Sequence, residues 1–211
     1  MKNLRILRCN KNRFGSIDTL AVFEMTSMGL REVKNPSEIF LDGRPSGANG
    51  CVVTCIIESG RPILLEVQAL VTKTSFGIPR RTINGADINR LNLLIAIIEK
   101  RMNVPLFQYD IYINITGGLK IKDTSIDLAI IMAILSSFKE KALRSDCIYC
   151  GEVGLSGEVR SISNINPRVQ EAIKLGYKKI FLPKSNIESI DNKILEKYKG
   201  IEIKPIEDVI N

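Results

Sequence analysis

The stretch that most constrains this chain runs from Tyr109 to Pro183. Tyr109 to Ile115 alternates apolar and polar residues at a period of two, which predicts a half-buried strand. Gly117 and Gly118 end it with backbone freedom that residues bearing a Cβ lack. From Ile126 to Leu135 only Asp127 interrupts an apolar run, too long for an ordinary strand and read as a buried helix. A strand pair follows, Ile148 to Val153 and Gly157 to Ser161. A helix is expected from Pro167 to Leu175, closed by Gly176 just past its end. Lys179 to Leu182 reads as a further strand, stopped by Pro183.

Two polar residues stand at the openings of these helices, Ser125 before the apolar run and Asn166 before Pro167. The order resembles the proteolytic domain of Lon-type ATP-dependent proteases. There a G-P-S-A-G turn carries the nucleophile, and a segment beginning G-E-x-x-L-x-G-x-V and ending G-G-L-K supplies its lysine. The counterparts here are Asp123-Thr124-Ser125-Ile126-Asp127 and Gly151-Glu152-Val153-Gly154-Leu155-Ser156-Gly157-Glu158-Val159, continuing to Asn164-Ile165-Asn166. Ser125 falls in the nucleophile's place, but Asn166 occupies the lysine's slot. A serine hydroxyl is a poor nucleophile until a base takes its proton. In a Ser-Lys dyad that base is a desolvated lysine. An asparagine amide cannot accept the proton, and the chain contains no histidine to replace it. Asp127 stands where the protease pattern has glycine, a carboxylate beside the expected oxyanion site. The pair therefore reads as the relic of a protease dyad with no catalytic residues. Structural roles are open to both: Ser125 as a helix N-terminal residue and Asn166 as an N-cap.

At 211 residues, one large or two small domains are expected. The apolar fraction of 45% suffices for a core, and the longest apolar run, about ten residues, is too short to span a bilayer. Met1 is followed by charged and polar residues instead of a signal segment, so a cytoplasmic protein with no membrane partner is expected. Thirty Lys and Arg against 23 acids give a net charge of +7, a balance that favours polyanions, nucleic acid first. The cysteines suggest no metal site. Cys147 and Cys150 lie three apart in an expected strand, which sends them to opposite faces, and Cys51 and Cys55 lie in another strand; core thiols are the reading.

At the amino end, Leu4 to Cys9 and Thr19 to Met25 read as strands around Lys11-Asn12-Arg13-Phe14-Gly15, a basic turn. That KNRFG pentapeptide resembles the signature of the RadA (Sms) family of bacterial DNA repair proteins, where it joins the ATPase core to a Lon-like domain. The continuation is similar too, through Val22-Phe23-Glu24-Met25, Gly29-Leu30-Arg31-Glu32-Val33, Asn35-Pro36-Ser37-Glu38 and Glu66-Val67-Gln68-Ala69-Leu70-Val71. Thr74-Ser75-Phe76-Gly77-Ile78-Pro79-Arg80-Arg81, Asn89-Arg90-Leu91, Gly117-Gly118-Leu119 and Gly151-Glu152-Val153-Gly154-Leu155 extend it over nearly the whole chain. The resemblance implies a Lon-like domain without the protease dyad, in agreement with the argument from Ser125 and Asn166. Family members also carry a zinc segment and a RecA-like ATPase ahead of KNRFG. This sequence has no G-x-x-x-x-G-K-[ST], and Gly43-Arg44-Pro45-Ser46-Gly47-Ala48-Asn49-Gly50 lacks the lysine and hydroxyl that hold phosphate and magnesium. The chain thus reads as the C-terminal half of such a protein: a fragment, a split gene product or a degenerate copy.

Further along, Pro36 to Phe40 is expected as a short helix, with Cys51 to Glu58 and Pro62 to Val71 as strands about a Ser59-Gly60-Arg61 hairpin turn. Lys73 to Arg81 is a basic loop whose Lys73, Arg80 and Arg81 surround Phe76, a composition suited to a phosphate backbone with a base packed nearby. A solvated loop or a protomer contact has the same composition. Asp87 to Met102 is an amphipathic helix with Ile88, Leu91, Leu94, Ile95, Ile98 and Met102 on one face. A polar helix from Ile187 to Tyr198, a strand Ile201 to Lys204 and a terminal helix Ile206 to Ile210 complete the chain.

The expected fold is α+β (mixed α/β), like the Lon proteolytic domain (ribosomal protein S5 domain 2-like), preceded by a short remnant of a RecA-like sheet. Residues 1–25 would be the end of the ATPase core and 26–211 the Lon-like domain. The resemblance implies a non-proteolytic module that assembles as a homo-oligomer such as a hexameric ring. It would bind single-stranded or branched DNA and support ATP-dependent processing of recombination intermediates. Lys11 and Arg13 would then stand near nucleotide bound by a neighbouring subunit. ATP and magnesium belong to the full-length family and no cofactor to this chain, so a separate ATPase subunit would be the partner. The alternatives are a serine peptidase using Ser125 with Lys120 or Lys122 swung into place, and a structural oligomerisation remnant.

Overall fold

The computed structural model describes residues 4–8, 20–75, 77–197, 200 and 202–207. It is a mixed α/β fold built on a seven-stranded sheet. A small antiparallel sheet comes first, made of β1 (Leu4–Arg8), β2 (Leu20–Thr26) and β3 (Gly29–Glu32). The domain boundary expected at 25/26 falls inside β2, which pairs with β3 beyond it. The small sheet joins the rest of the molecule through Val22 and Val33, both buried in the main core, with Val33 N–H donating to the Val22 carbonyl at 2.7 Å.

After α1 (Pro36–Phe40), strands β4 (Cys51–Glu58) and β5 (Arg61–Lys73) form a hairpin about Ser59 and Gly60. Both turn residues have positive φ, 47° and 73°, the backbone sense that matches the right-handed twist of the flanking strands. The chain enters β4 through Gly50, where an added Cβ would lie 2.2 Å from the Ala69 carbonyl oxygen. The remaining elements are β6 (Arg81–Asn84), α2 (Ile88–Met102), β7 (Tyr109–Ile115), α3 (Asp127–Phe138) and β8 (Cys147–Tyr149). The hairpin β9 (Glu152–Val153) and β10 (Val159–Arg160) follows, then α4 (Ile165–Lys174) and β11 (Lys179–Pro183). The chain continues through α5 (Lys184–Ile187), α6 (Asn192–Lys197) and β12 (Glu202–Ile206).

The sheet order is β12-β11-β8-β4-β5-β7-β6. The β12–β11, β11–β8, β8–β4 and β7–β6 pairs are parallel, and only β5 is antiparallel to its neighbours. Side chains alternate between the faces. Val52, Ile56, Ile63, Leu65 and Val67 join one core with α2 and α3, while Val53, Cys55, Leu64 and Ile148 join a second with α4 and α6. Helix α3 is apolar all round and accordingly buried along its length, as the Ile126–Leu135 run predicts. Its Ser136 and Ser137 hydroxyls accept from the Gly50 and Val71 amides, each at 2.9 Å, tying the helix end to the β4–β5 hairpin.

Several expected boundaries move. The strand expected from Ile148 to Val153 divides at Cys150-Gly151, where Gly151 N–H donates to the Ser125 carbonyl at 2.9 Å instead of to a strand neighbour. Of the polar helix expected from Ile187 to Tyr198 only α6 forms, since Ile187 ends α5, residues 188–190 are turn and bend, and Tyr198 lies outside the described residues; Ile206 ends β12 instead of starting a helix. Glu207 follows as a bend, and residues 208–210 of the expected terminal helix lie outside the described residues. Cys147 and Cys150 sit in opposite cores, and Cys51, Cys55, Cys147 and Cys150 are free thiols. Burial pushes the Cys55 thiol well above its usual range. Among the described residues no helix is long and apolar enough to cross a membrane.

Candidate functional site

The candidate site forms where four separate segments meet. Beyond β7 residues 119–123 have no regular secondary structure, with Leu119 and Ile121 buried and Lys120 and Lys122 exposed. Ile121 N–H donates to the Gly85 carbonyl at 2.7 Å, which fixes this segment beside β6. Asp123 then caps a single 3₁₀ turn, Thr124–Ile126, its Oδ1 accepting from Ser125 N–H at 3.0 Å. Ser125 lies in that turn and is completely buried. It is therefore part of the turn that leads into α3, and the cap is Asp123.

The residue that reaches Ser125 is Arg168, from the first turns of α4. Its side chain is 2% exposed. Nη1 donates to Ser125 Oγ at 2.8 Å and also to the Cys55 carbonyl. Nη2 donates to Asp123 Oδ2 at 2.7 Å, and Nε to the Ser163 carbonyl at 3.0 Å. Ser125 Oγ has the Cys55 carbonyl as its own acceptor, at 3.4 Å. Burial alone would raise the Asp123 carboxyl, but the Arg168 guanidinium and the Ile57 and Ser125 N–H groups hold it below the usual range. A guanidinium keeps its proton throughout the working pH range and offers only donors. Arg168 consequently gives a hydrogen bond to the serine oxygen and cannot take its proton.

Asn166, expected opposite Ser125, faces elsewhere. It is the second residue of α4, and its Oδ1 accepts from Asp191 N–H at 2.9 Å. The N-cap position belongs to Asn164, which has φ 54° and makes no side-chain cap bond. Lys120 and Lys122 form no hydrogen bond with Ser125 among the described residues; they line an open groove beside Asp123. Asp127 also turns away: Arg90 Nε donates to its Oδ1 at 3.0 Å, Arg90 Nη2 to Oδ2, and Val153 N–H to Oδ2 at 3.1 Å.

The other sequence candidates scatter. Lys11, Asn12, Arg13, Phe14 and Gly15 lie outside the described residues, as does Phe76. Lys73 ends β5 and Arg80 precedes β6, and both are exposed. Arg80 N–H donates to Asp110 Oδ1 at 2.8 Å, which holds the loop in place and leaves the guanidinium outside. Arg81 differs, since its guanidinium donates to the Tyr109 carbonyl and, at 3.1 Å, to the Leu106 carbonyl. That side chain anchors the loop to the start of β7. In the glycine-rich loop two groups are engaged within the fold. Arg44 is tied to Glu66 Oε1 at 3.1 Å and the Ser145 carbonyl at 2.9 Å, and the Gly50 amide is spent on Ser136. Among the described residues no three Cys, Asp or Glu side chains gather into a metal site.

With this geometry in view, residues 68–186 match the family described as subunit ChlI of Mg-chelatase, more than half of the chain. The chain belongs to that family. It is also similar to the DNA repair protein RadA of Bacillus subtilis (strain 168), 48% identical over 199 residues, which are 94% of this chain and 42% of the relative. The RadA of Halalkalibacterium halodurans is 48% identical over 183 residues, 87% of this chain and 40% of the relative. That of Listeria monocytogenes is 47% identical over 182 residues, 86% and 40% respectively. The chain spans about two fifths of the length of the curated relatives it matches. The resemblance to the RadA family drawn from the motifs of this sequence stands on these matches.

Sequence reasoning missed Arg168. A signal for it exists: Arg168 shares a helical stripe with Ile165, Val169 and Ala172, all buried. A cation on an apolar stripe needs a buried partner.

Proposed function

We propose that this chain is a non-proteolytic, Lon-like module of a RadA-type DNA repair protein, acting in ring assembly and in DNA binding. In this reading residues 1–25 are the edge of a RecA-like unit. The KNRFG residues Lys11 to Gly15 stand near nucleotide bound by a separate ATPase portion, which supplies ATP and magnesium chemistry to the processing of branched recombination intermediates. The names of the relatives support the repair role, and the net charge of +7 together with exposed Lys73 and Arg80 supports contact with DNA.

The observation that carries the reading is the Arg168 guanidinium donating to Ser125 Oγ at 2.8 Å in a site closed to solvent. A protease at this position needs an acceptor for the serine proton. Exposure to a fluorophosphonate probe tests it: wild type and Ser125→Ala are expected to label equally, at background. Labelling that disappears with Ser125→Ala would mark an activated nucleophile and overturn the proposal.

A further inference from the structure

The sheet has a polarity that bears on ligand binding. Six of its seven strands point the same way, β5 alone being reversed. In open α/β sheets the crevice outside the carboxyl ends of the strands is where ligands settle. A groove of about 450 Å³ opens at that pole here. The end of β4 supplies Ile57, the segment after β7 supplies Lys120, Lys122 and Asp123, and the lead into α4 supplies Ser163 and Asn164. The Lys73–Arg81 loop lies at the opposite pole, against the amino ends of β6 and β7.

Lys120 and Lys122 are exposed and alternate with Leu119 and Ile121, which are 3% and 5% exposed, on a segment anchored by the Ile121 N–H bond, and both lysines line the groove. Neither lysine has an ion pair or hydrogen bond among the described residues. The neighbouring carboxylate does not neutralise them, because Asp123 is paired with Arg168 and accepts from two backbone amides. Glu58, also in the lining, has an interaction of its own. The Asn164 side chain makes no cap bond and is also part of the lining. The groove thus holds two cations, two positions apart in the chain, with no ion-pair partner among the described residues. A pair of cations on an anchored segment matches a ligand carrying repeated anions.

We propose that this groove takes the phosphate backbone of a single nucleic-acid strand, with Lys120 and Lys122 each against one phosphate and the Asn164 amide donating to a backbone oxygen. The inference rests on the reading of the chain as a DNA-binding module and assigns it a contact at the pole away from the basic loop.

Fluorescence anisotropy with labelled oligothymidylate, titrated over a range of salt, tests it on the full chain. Each phosphate contact to a single strand contributes about 0.7 to the slope of log K against log salt. Lys120→Ala with Lys122→Ala is expected to lower that slope by about 1.4 while the thermal melt is unchanged, since both side chains are exposed. Asn164→Asp, with the lysines intact, is expected to bind more weakly than the parent. A parent that binds, with a double variant of equal affinity and slope, overturns the groove and leaves the DNA reading in place. A parent that binds no oligonucleotide at low salt removes that reading and the groove with it. Displacement of the oligonucleotide by polyglutamate from the parent, at equal charge concentration, would make the occupant an acidic peptide and overturn the nucleic-acid assignment.

Discussion

Four partners surround the Arg168 guanidinium: the Ser163 and Cys55 carbonyls, Ser125 Oγ and Asp123 Oδ2. Removing the side chain would strand a carboxylate that is 19% exposed and a serine with no exposure. Arg168→Ala should therefore cost about 3–5 kcal/mol in a denaturant titration. Ser125→Ala, which removes one neutral acceptor, should cost about 1 kcal/mol. Comparable losses in the two variants would show that the guanidinium has no special structural weight. The pH dependence follows from Asp123, whose folded value lies below the unfolded one. Its contribution is in place above the unfolded value of about 3.9 and is lost as pH falls through the lower folded value. Asp123→Asn should lower stability at neutral pH and flatten the loss below about pH 4, read from chemical melts at stepped pH.

At the scale of single elements, local patterns were readable where they coincide with local causes. The period of two over Tyr109–Ile115 gives β7 with the same ends, and the apolar stripe of α2 begins one residue after its cap, Asp87. Asp87 Oδ1 accepts from the Asn89 and Arg90 amides at 2.7 and 3.3 Å. Asp87→Ala should cost about 1 kcal/mol in thermal or chemical melts. The four-residue β3 escaped notice because every residue in it is exposed, so it carries no hydrophobic period. Arg168 was hidden for another reason: its partners Asp123, Ser125 and Cys55 lie 45, 43 and 113 positions away. A register that places Asn166 by counting along one motif cannot detect a contact made by three distant segments. Arg81 shows the same limit, since its charge suggests solvent or phosphate while two of its five donors go to the Tyr109 and Leu106 carbonyls, contacts that the local pattern does not announce.

For the whole molecule, both faces of one sheet are covered by helices, with the small amino-terminal sheet attached through Val22 and Val33. The mixed α/β class was legible from the succession of strand and helix patterns; the strand order was not, because β8 sits beside β4 from more than ninety positions along the chain. The reversal of β5 alone has a consequence for size. Pro62, opposite Ile57 at the groove, and Lys73 at the basic loop are the near and far ends of one continuous strand. At about 3.3 Å per residue the two are roughly 36 Å apart. A nucleic acid that touched both poles of one copy would have to run the length of the sheet, so β5 would act as a ruler for the shortest oligonucleotide able to engage both.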